Sequence, residues 1–341
     1  MTARKIVFAL ALAATTAGFF SGPAQAEPRK LRIADSFPGS HYLVRLLLQP
    51  WMAEVTKRTD GEITFEHFPS QQLGKAGDML ALTQMEVADI GYVAPAYVSD
   101  KMVTSEVAML PGAFDTSCQG TRAYLQVARN GVVGREDYTP NRIRLLLAIA
   151  LPQYQILTTK APVLDEPDVK GVKLRSTGGA QDLTLRTIGA IPVRMAAPET
   201  YEALSRGTLD GVLFPLDSVV AYDIAKLLKH STANGRFGSF IVAYSIGDKA
   251  WAKLSPKVQQ VMMQVADEVN ASACVAVEQQ DAEIRQKLQG AGIQFLAMPD
   301  ALEKKFATRL EEVSTQWAKG LDARGKKGTE ALAEFRAALQ N

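Results

Sequence analysis

The chain has 341 residues, 47% of them hydrophobic and 22% charged, which is the balance of a folded protein with length enough for two domains and excludes a largely disordered one. Its formal charge of +2 comes from Arg4 and Lys5; without that pair, 36 basic residues face 36 acidic ones. Such neutrality gives no electrostatic reason to bind nucleic acid or an anionic membrane.

Arg4 and Lys5 precede an apolar run over residues 6–20, and Ala24-Gln25-Ala26 supplies the small residues of a cleavage site. This pattern predicts a secretory signal peptide cut after Ala26; the apolar run is short for a membrane span and no stop-transfer segment follows. In an exported protein Cys118 and Cys274 are allowed to pair, but they lie 156 residues apart in Ala-rich helical contexts, and two buried free thiols are the expectation. A strand is predicted over residues 31–34, then a turn-rich loop over 35–41, a helix over 42–59 with apolar positions at helical spacing, and a strand over 63–68. Helices over 76–85 and 118–130 flank a strand at 87–92, and residues 143–149 form a long apolar strand that runs into a connection between domains.

The stretch 170–214 is the most patterned. Gly171-Val172-Lys173-Leu174-Arg175 is a turn residue, an apolar strand and a terminal cation; a helical run over 180–188 follows, then a strand around Ile191-Pro192-Val193. A helix opened by Pro198 and closed by Gly207 leads to the strand at residues 210–214. Strand and helix alternating in this way predict a parallel α/β layer, whose ligands bind at the carboxyl ends of the strands, where Arg175 stands. An Arg there can grip a carboxylate through two parallel charge-assisted hydrogen bonds. The structural alternative is an ion pair with Asp182 or Asp217. Farther on, residues 237–245 read as a second crossing strand. Ser255-Pro256 starts a helix that meets no breaker before Gly290, about 50 Å long and able to brace two domains. A short strand at 293–296 and an amphipathic helix over 300–322 end the pattern, with Arg324-Gly325-Lys326-Lys327 as a solvated turn.

In order and spacing, the segments GVKLR, IGAIPV and ETYEALSRGTLDG resemble the core of the DctP-type solute-binding proteins of TRAP (tripartite ATP-independent periplasmic) transporters. The resemblance implies an α/β periplasmic binding-protein fold of two lobes joined by hinge strands, with the long helix spanning both. Residues 27–152 and 241–280 would form lobe I, and 153–240 and 281–341 lobe II, the C-terminal helix packing on lobe I in the alternative. It also implies that Arg175 holds a substrate carboxylate and that Ser36, Phe37, Tyr92 and Tyr97 face the cleft. Near residue 153 some members carry a second Arg, whereas this chain has Gln153 and Tyr154; where Asn is common it has Phe214, followed by Asp217. One Arg amid aromatic groups suggests an apolar or aromatic monocarboxylate, or a 2-oxo or 2-hydroxy acid, with dicarboxylates and sugar acids as the alternatives. The implied partners are that acid and TRAP permease subunits, and the implied location is the periplasm. A ligand sensor for a signalling receptor is a further alternative.

The chain offers no catalytic signature to set against this. His41, His67 and His230 form no zinc motif, and no nucleophile elbow, Walker loop or dinucleotide fingerprint occurs. Gly178-Gly179 is too short to cradle a phosphate. The expectation is a binding protein, not an enzyme, with no cofactor and no metal.

Overall fold

Short apolar runs bounded by turn residues make the strands, and loop length decides how they pair. In the computed structural model, which describes residues 28–340, the strands are Arg29–Ala34 (β1), Ile63–Phe68 (β2), Ile90–Tyr92 (β3), Ile143–Ala150 (β4), Gln155–Thr158 (β5), Lys173–Ser176 (β6), Ile191–Arg194 (β7), Gly211–Phe214 (β8), His230–Thr232 (β9), Ile241–Gly247 (β10) and Gln294–Leu296 (β11). They form two sheets, ordered β2-β1-β3-β10-β4 and β11-β9-β5-β8-β6-β7. The predicted leader lies outside the described residues. Among the described residues no helix is long and apolar enough to cross a membrane.

The patterned stretch folds as its spacing predicts, with β6 between β7 and β8 and parallel to both. The helix Gly179–Thr187 makes the first crossover and the helix Thr200–Ser205 the second. Because β4 and β5 belong to different sheets, as do β9 and β10, two extended segments cross between the lobes, and the long helix between β10 and β11 crosses a third time. The extended crossings are tied side by side: Leu151 N–H donates to Phe240 O at 2.9 Å and Tyr154 N–H to Gly238 O at 2.8 Å.

Pro256–Gly290 is a single helix, capped by Ser255, whose Oγ accepts from Val258 N–H, and opened by Pro256. It packs on β4 and the helix Ser117–Asn130 at one end and on the short helix Leu216–Ala221 farther along, so it touches both lobes. The helix predicted over 42–59 is present but contains a π-helical turn, Val44–Leu48, before Gln49–Arg58. The helix Asp300–Asp322 matches its predicted bounds and is followed by Gly328–Ala338, which local pattern did not single out. The expectation of free thiols is corrected: Cys118 and Cys274 form a disulfide that staples the helix Ser117–Asn130 to the long helix, with Cα atoms 4.9 Å apart. Sequence separation had argued against pairing, but two helices packed on the same strand bring the cysteines together.

Candidate functional site

Because β6 runs parallel to both neighbours, its last residues open at the carboxyl edge of the second sheet, and Arg175 and Ser176 are buried there. Arg175 is 1% exposed. Its Nε donates to Met195 O at 3.2 Å, its Nη2 lies 3.5 Å from the Tyr97 hydroxyl, and its Nη1 has no partner. Among the described residues it forms no ion pair: Ser176 Oγ donates to Asp182 instead, and Asp217 Oδ1 is itself unpartnered. The structural alternative of a bridge to either aspartate is therefore not realised. The Phe214 ring lies 4.8 Å from the guanidinium carbon, a cation–π contact worth about 0.5–2 kcal/mol, well short of what burying an unmatched charge costs.

The unpartnered Nη1 faces a cavity that spans both lobes, with ≈ 270 Å³ of empty space that is partly open to solvent. Phe37, Leu43, Tyr92 and Tyr97 enclose it from the first-sheet side, and Leu151, Tyr154 and Phe240 from the crossing segments. Ala197, Phe214, Ser218 and Tyr222 close it from the second-sheet side. The Phe37 ring stacks on Tyr92 at 4.3 Å and on His41 at 4.0 Å. Its loop is held from beneath by buried Asp35, whose carboxylate accepts from Phe37 N–H at 2.8 Å and Tyr244 OH at 2.8 Å and lies 3.0 Å from His67 Nε2.

Burial sets the charge states. It raises the Tyr92 and Tyr222 hydroxyls well above their ordinary value, and it raises Tyr154 too, against the opposing pull of Arg175. All three remain neutral donors. Burial, helped by Arg45, pushes His41 down to about 3, so this ring is neutral, with Nδ1 accepting from Leu43 N–H at 3.3 Å. Asp217 is pushed up to about 6, first by burial. Arg175 thus supplies the cavity's positive pole.

Of the residues singled out from the sequence, the fold brings Arg175, Phe37, Tyr92, Tyr97, Tyr154 and Phe214 around one cavity. Ser36, Gln153 and Asp217 are close in the chain but lie outside its lining; Gln153 turns away to donate to Phe114 O at 3.0 Å. Missed were Leu43, Leu151, Ala197, Ser218, Tyr222, Phe240 and Val242. A signal existed for Ser218 and Tyr222: they stand four apart immediately after β8, so one helical turn points both at the same strand end. The others carry no local mark, since a Leu or Ala that lines a cavity looks like one that fills a core.

Comparison with known proteins identifies the family and the fold. The family model described as DctP, bacterial extracellular solute-binding protein, family 7, matches residues 36–320. The chain belongs to the DctP family. A TRAP periplasmic solute-binding protein from Bordetella bronchiseptica, solved with bound (R)-mandelate and (S)-mandelate, is 29% identical and superposes with a TM-score of 0.82 over 92% of this chain and 99% of that one. A TRAP solute-binding protein from Rhodoferax ferrireducens, in complex with copurified benzoate, superposes with a TM-score of 0.83 at 21% identity, covering 92% of this chain and 98% of its own, a likeness of fold. The C4-dicarboxylate-binding periplasmic protein DctP of Rhodobacter capsulatus is 24% identical over 86% of this chain and 87% of its own. The fold is thus the two-lobed one of TRAP solute-binding proteins, and DctP-family proteins bind substrates for transport.

Proposed function

We propose that the protein captures a small organic acid in the periplasm, an apolar or aromatic monocarboxylate or 2-hydroxy acid, and delivers it to a TRAP-type permease. The observation that carries this reading is the unpartnered Nη1 of a fully buried Arg175 inside a cavity walled by aromatic rings. A carboxylate there would supply the missing counter-charge, while Phe37, Phe214 and Tyr222 would cover an apolar body. Tyr154 and Tyr92, held neutral, are donors for the second carboxylate oxygen or a 2-hydroxyl. A single cation favours one carboxylate over two, and the mandelate complex of the Bordetella relative is in keeping with that choice.

Because the lining comes from both lobes, ligand contacts would be complete only when the lobes meet, which is how a bound acid could drive closure about the two extended crossings. The lobes we assign are residues 27–152 with 241–280, and 153–240 with 281–327. The last helix, Gly328–Ala338, packs against Ser117–Asn130 on the first-sheet side, which favours assigning it to lobe I. The leader over residues 1–26 would provide export.

A thermal-shift screen of the mature protein tests the proposal, with benzoate and both mandelates set against benzamide, succinate and gluconate. Saturation at about 100 times Kd adds roughly 2.7 kcal/mol and moves the midpoint by a few degrees. A shift with benzoate or mandelate that benzamide fails to produce supports the assignment. A shift with succinate or gluconate alone replaces the ligand class, and none with any acid refutes carboxylate capture.

A further inference from the structure

Away from the cavity, the seam between the lobes holds a buried acid that ligand capture does not use. Glu106 lies in the 3₁₀ segment Thr104–Met109, which packs on the first-sheet side against β10 and the helix Gly328–Ala338, and it is 3% exposed. Its Oε2 accepts from Ala180 N–H at 2.9 Å, so it sits on the first turn of the helix Gly179–Thr187, which belongs to the second-sheet side and begins four residues after Arg175. Its Oε1 is buried without a partner, as is the Trp317 indole N–H from the helix Asp300–Asp322, which is near enough to favour the charged carboxylate. Gly178 and Gly179, at φ +97° and +51°, carry the chain around the carboxylate in the left-handed region that a side chain would strain. A Cβ on Gly178 would meet Arg194 Nε at 2.6 Å, and Arg194 reaches back across the seam to donate to Ser99 Oγ at 2.9 Å.

We propose that Glu106 is a positioning residue that locks the Arg175 strand end to the first lobe, and that taking up a proton at this carboxyl accompanies closure of the lobes.

The charge balance gives the sign. Burial pushes the Glu106 carboxyl up to about 7, with Asp137 acting in the same direction, while Ala180 N–H, Trp317 and Arg194 pull against it. Opening would withdraw the Ala180 N–H and admit water, returning the group towards its ordinary 4.5. The closed form therefore binds the proton more tightly, and closure is favoured as pH falls through 7 and disfavoured above it. Asp137, pushed to about 6 by its own burial, titrates in the same range, but its bonds to Thr104 N–H and Ser105 N–H lie wholly within the first lobe, so lobe separation need not break them. Asp182 on the facing helix is occupied by Ser176 Oγ, and Glu334 on the helix behind accepts from Val132 N–H and Arg135.

The test needs no ligand. Spin labels at Lys57→Cys and Arg206→Cys, exposed sites on opposite lobes, report the interlobe distance distribution at pH 8.0 and pH 5.5 while Cys118 and Cys274 stay bonded. The closed-to-open ratio of the wild type should rise by up to roughly 25-fold on acidification, the value for a carboxyl moving between 7 and 4.5. In Glu106→Gln, which keeps an oxygen for Ala180 N–H, the acid-driven rise should fall well below that of the wild type, leaving only the dependence that Asp217 and His41 contribute. Trp317→Phe, which removes an opposing donor, should move the wild-type midpoint upward and provides the reading should the Gln variant fail to fold. A wild-type ratio independent of pH, a Gln variant with the wild-type dependence, or an unmoved midpoint in Trp317→Phe overturns the proposal. None of these readouts depends on which acid the cavity holds.

Discussion

Replacing Arg175 by Met separates a ligand-binding cation from a structural one, because the two roles predict opposite effects on the empty protein. In the structure the guanidinium has one good hydrogen bond, to Met195 O at 3.2 Å, a long contact to Tyr97, a ring beneath it and an unpartnered Nη1. Met fills a similar volume without the charge, and exchanging a buried, unmatched cation for an apolar side chain is neutral or stabilising by about 1–4 kcal/mol. The melting midpoint of ligand-free Arg175→Met should thus equal or exceed that of the wild type. Binding should fail in the same variant. Two charge-assisted bonds to a carboxylate are worth about 1.5–3 kcal/mol each, so calorimetry with benzoate or mandelate should show Kd raised by two to four orders of magnitude. A variant that melts several degrees lower yet still binds the acid would refute the reasoning, since Arg175 would then hold the fold and not the ligand.

Other expectations follow from single contacts. Tyr97→Phe leaves Ala197 N–H without its acceptor at 3.0 Å and loosens Arg175, and should weaken acid binding by about 1–2 kcal/mol, roughly tenfold in Kd by calorimetry. Cys118→Ser opens a loop of 156 residues and should lower stability by up to about 5 kcal/mol; urea unfolding with and without reductant checks this, and an unchanged midpoint in both would refute it. His41 is held near 3 when folded against 6.5 when unfolded, so its contribution is complete above 6.5 and is lost as pH falls from there towards 3. At pH 5 the loss is about 2 kcal/mol, and His41→Gln should flatten the stability profile between pH 7 and 5 by that amount in urea titrations. An acid limb identical to that of the wild type would show that the His41 ring reaches water in the folded state.

Much of the second sheet could be read directly, because each of its signals is local. Gly171 before β6, Pro198 before Thr200–Ser205 and Gly207 before β8 punctuate the chain within a few residues of where it turns. The helix start at Ser255-Pro256 is likewise a property of two adjacent residues, a hydroxyl cap and a fixed φ. The π-helical turn at Val44–Leu48 had no such mark, since its extra residue is accommodated by packing and not by any breaker. The helix Gly328–Ala338 follows a basic turn and is short, and its stability comes from lying on Ser117–Asn130 and Asp300–Asp322, neighbours that local periodicity does not show.

The sequence by itself determined the parallel β6-β7-β8 layer, the placing of Arg175 at its carboxyl edge and the long brace, because strand period, caps and turn residues act between near neighbours. Only the tertiary structure decided that Cys118 meets Cys274, that Tyr222 and Phe240 share a cavity with Phe37, and that Gln153 turns away while Tyr154 turns in. It also decided that Arg175 goes unpaired and that Glu106 reaches the far lobe. Those outcomes join residues tens to more than a hundred positions apart, and they are settled by which helix faces pack together and where each charge can find a partner once water is excluded.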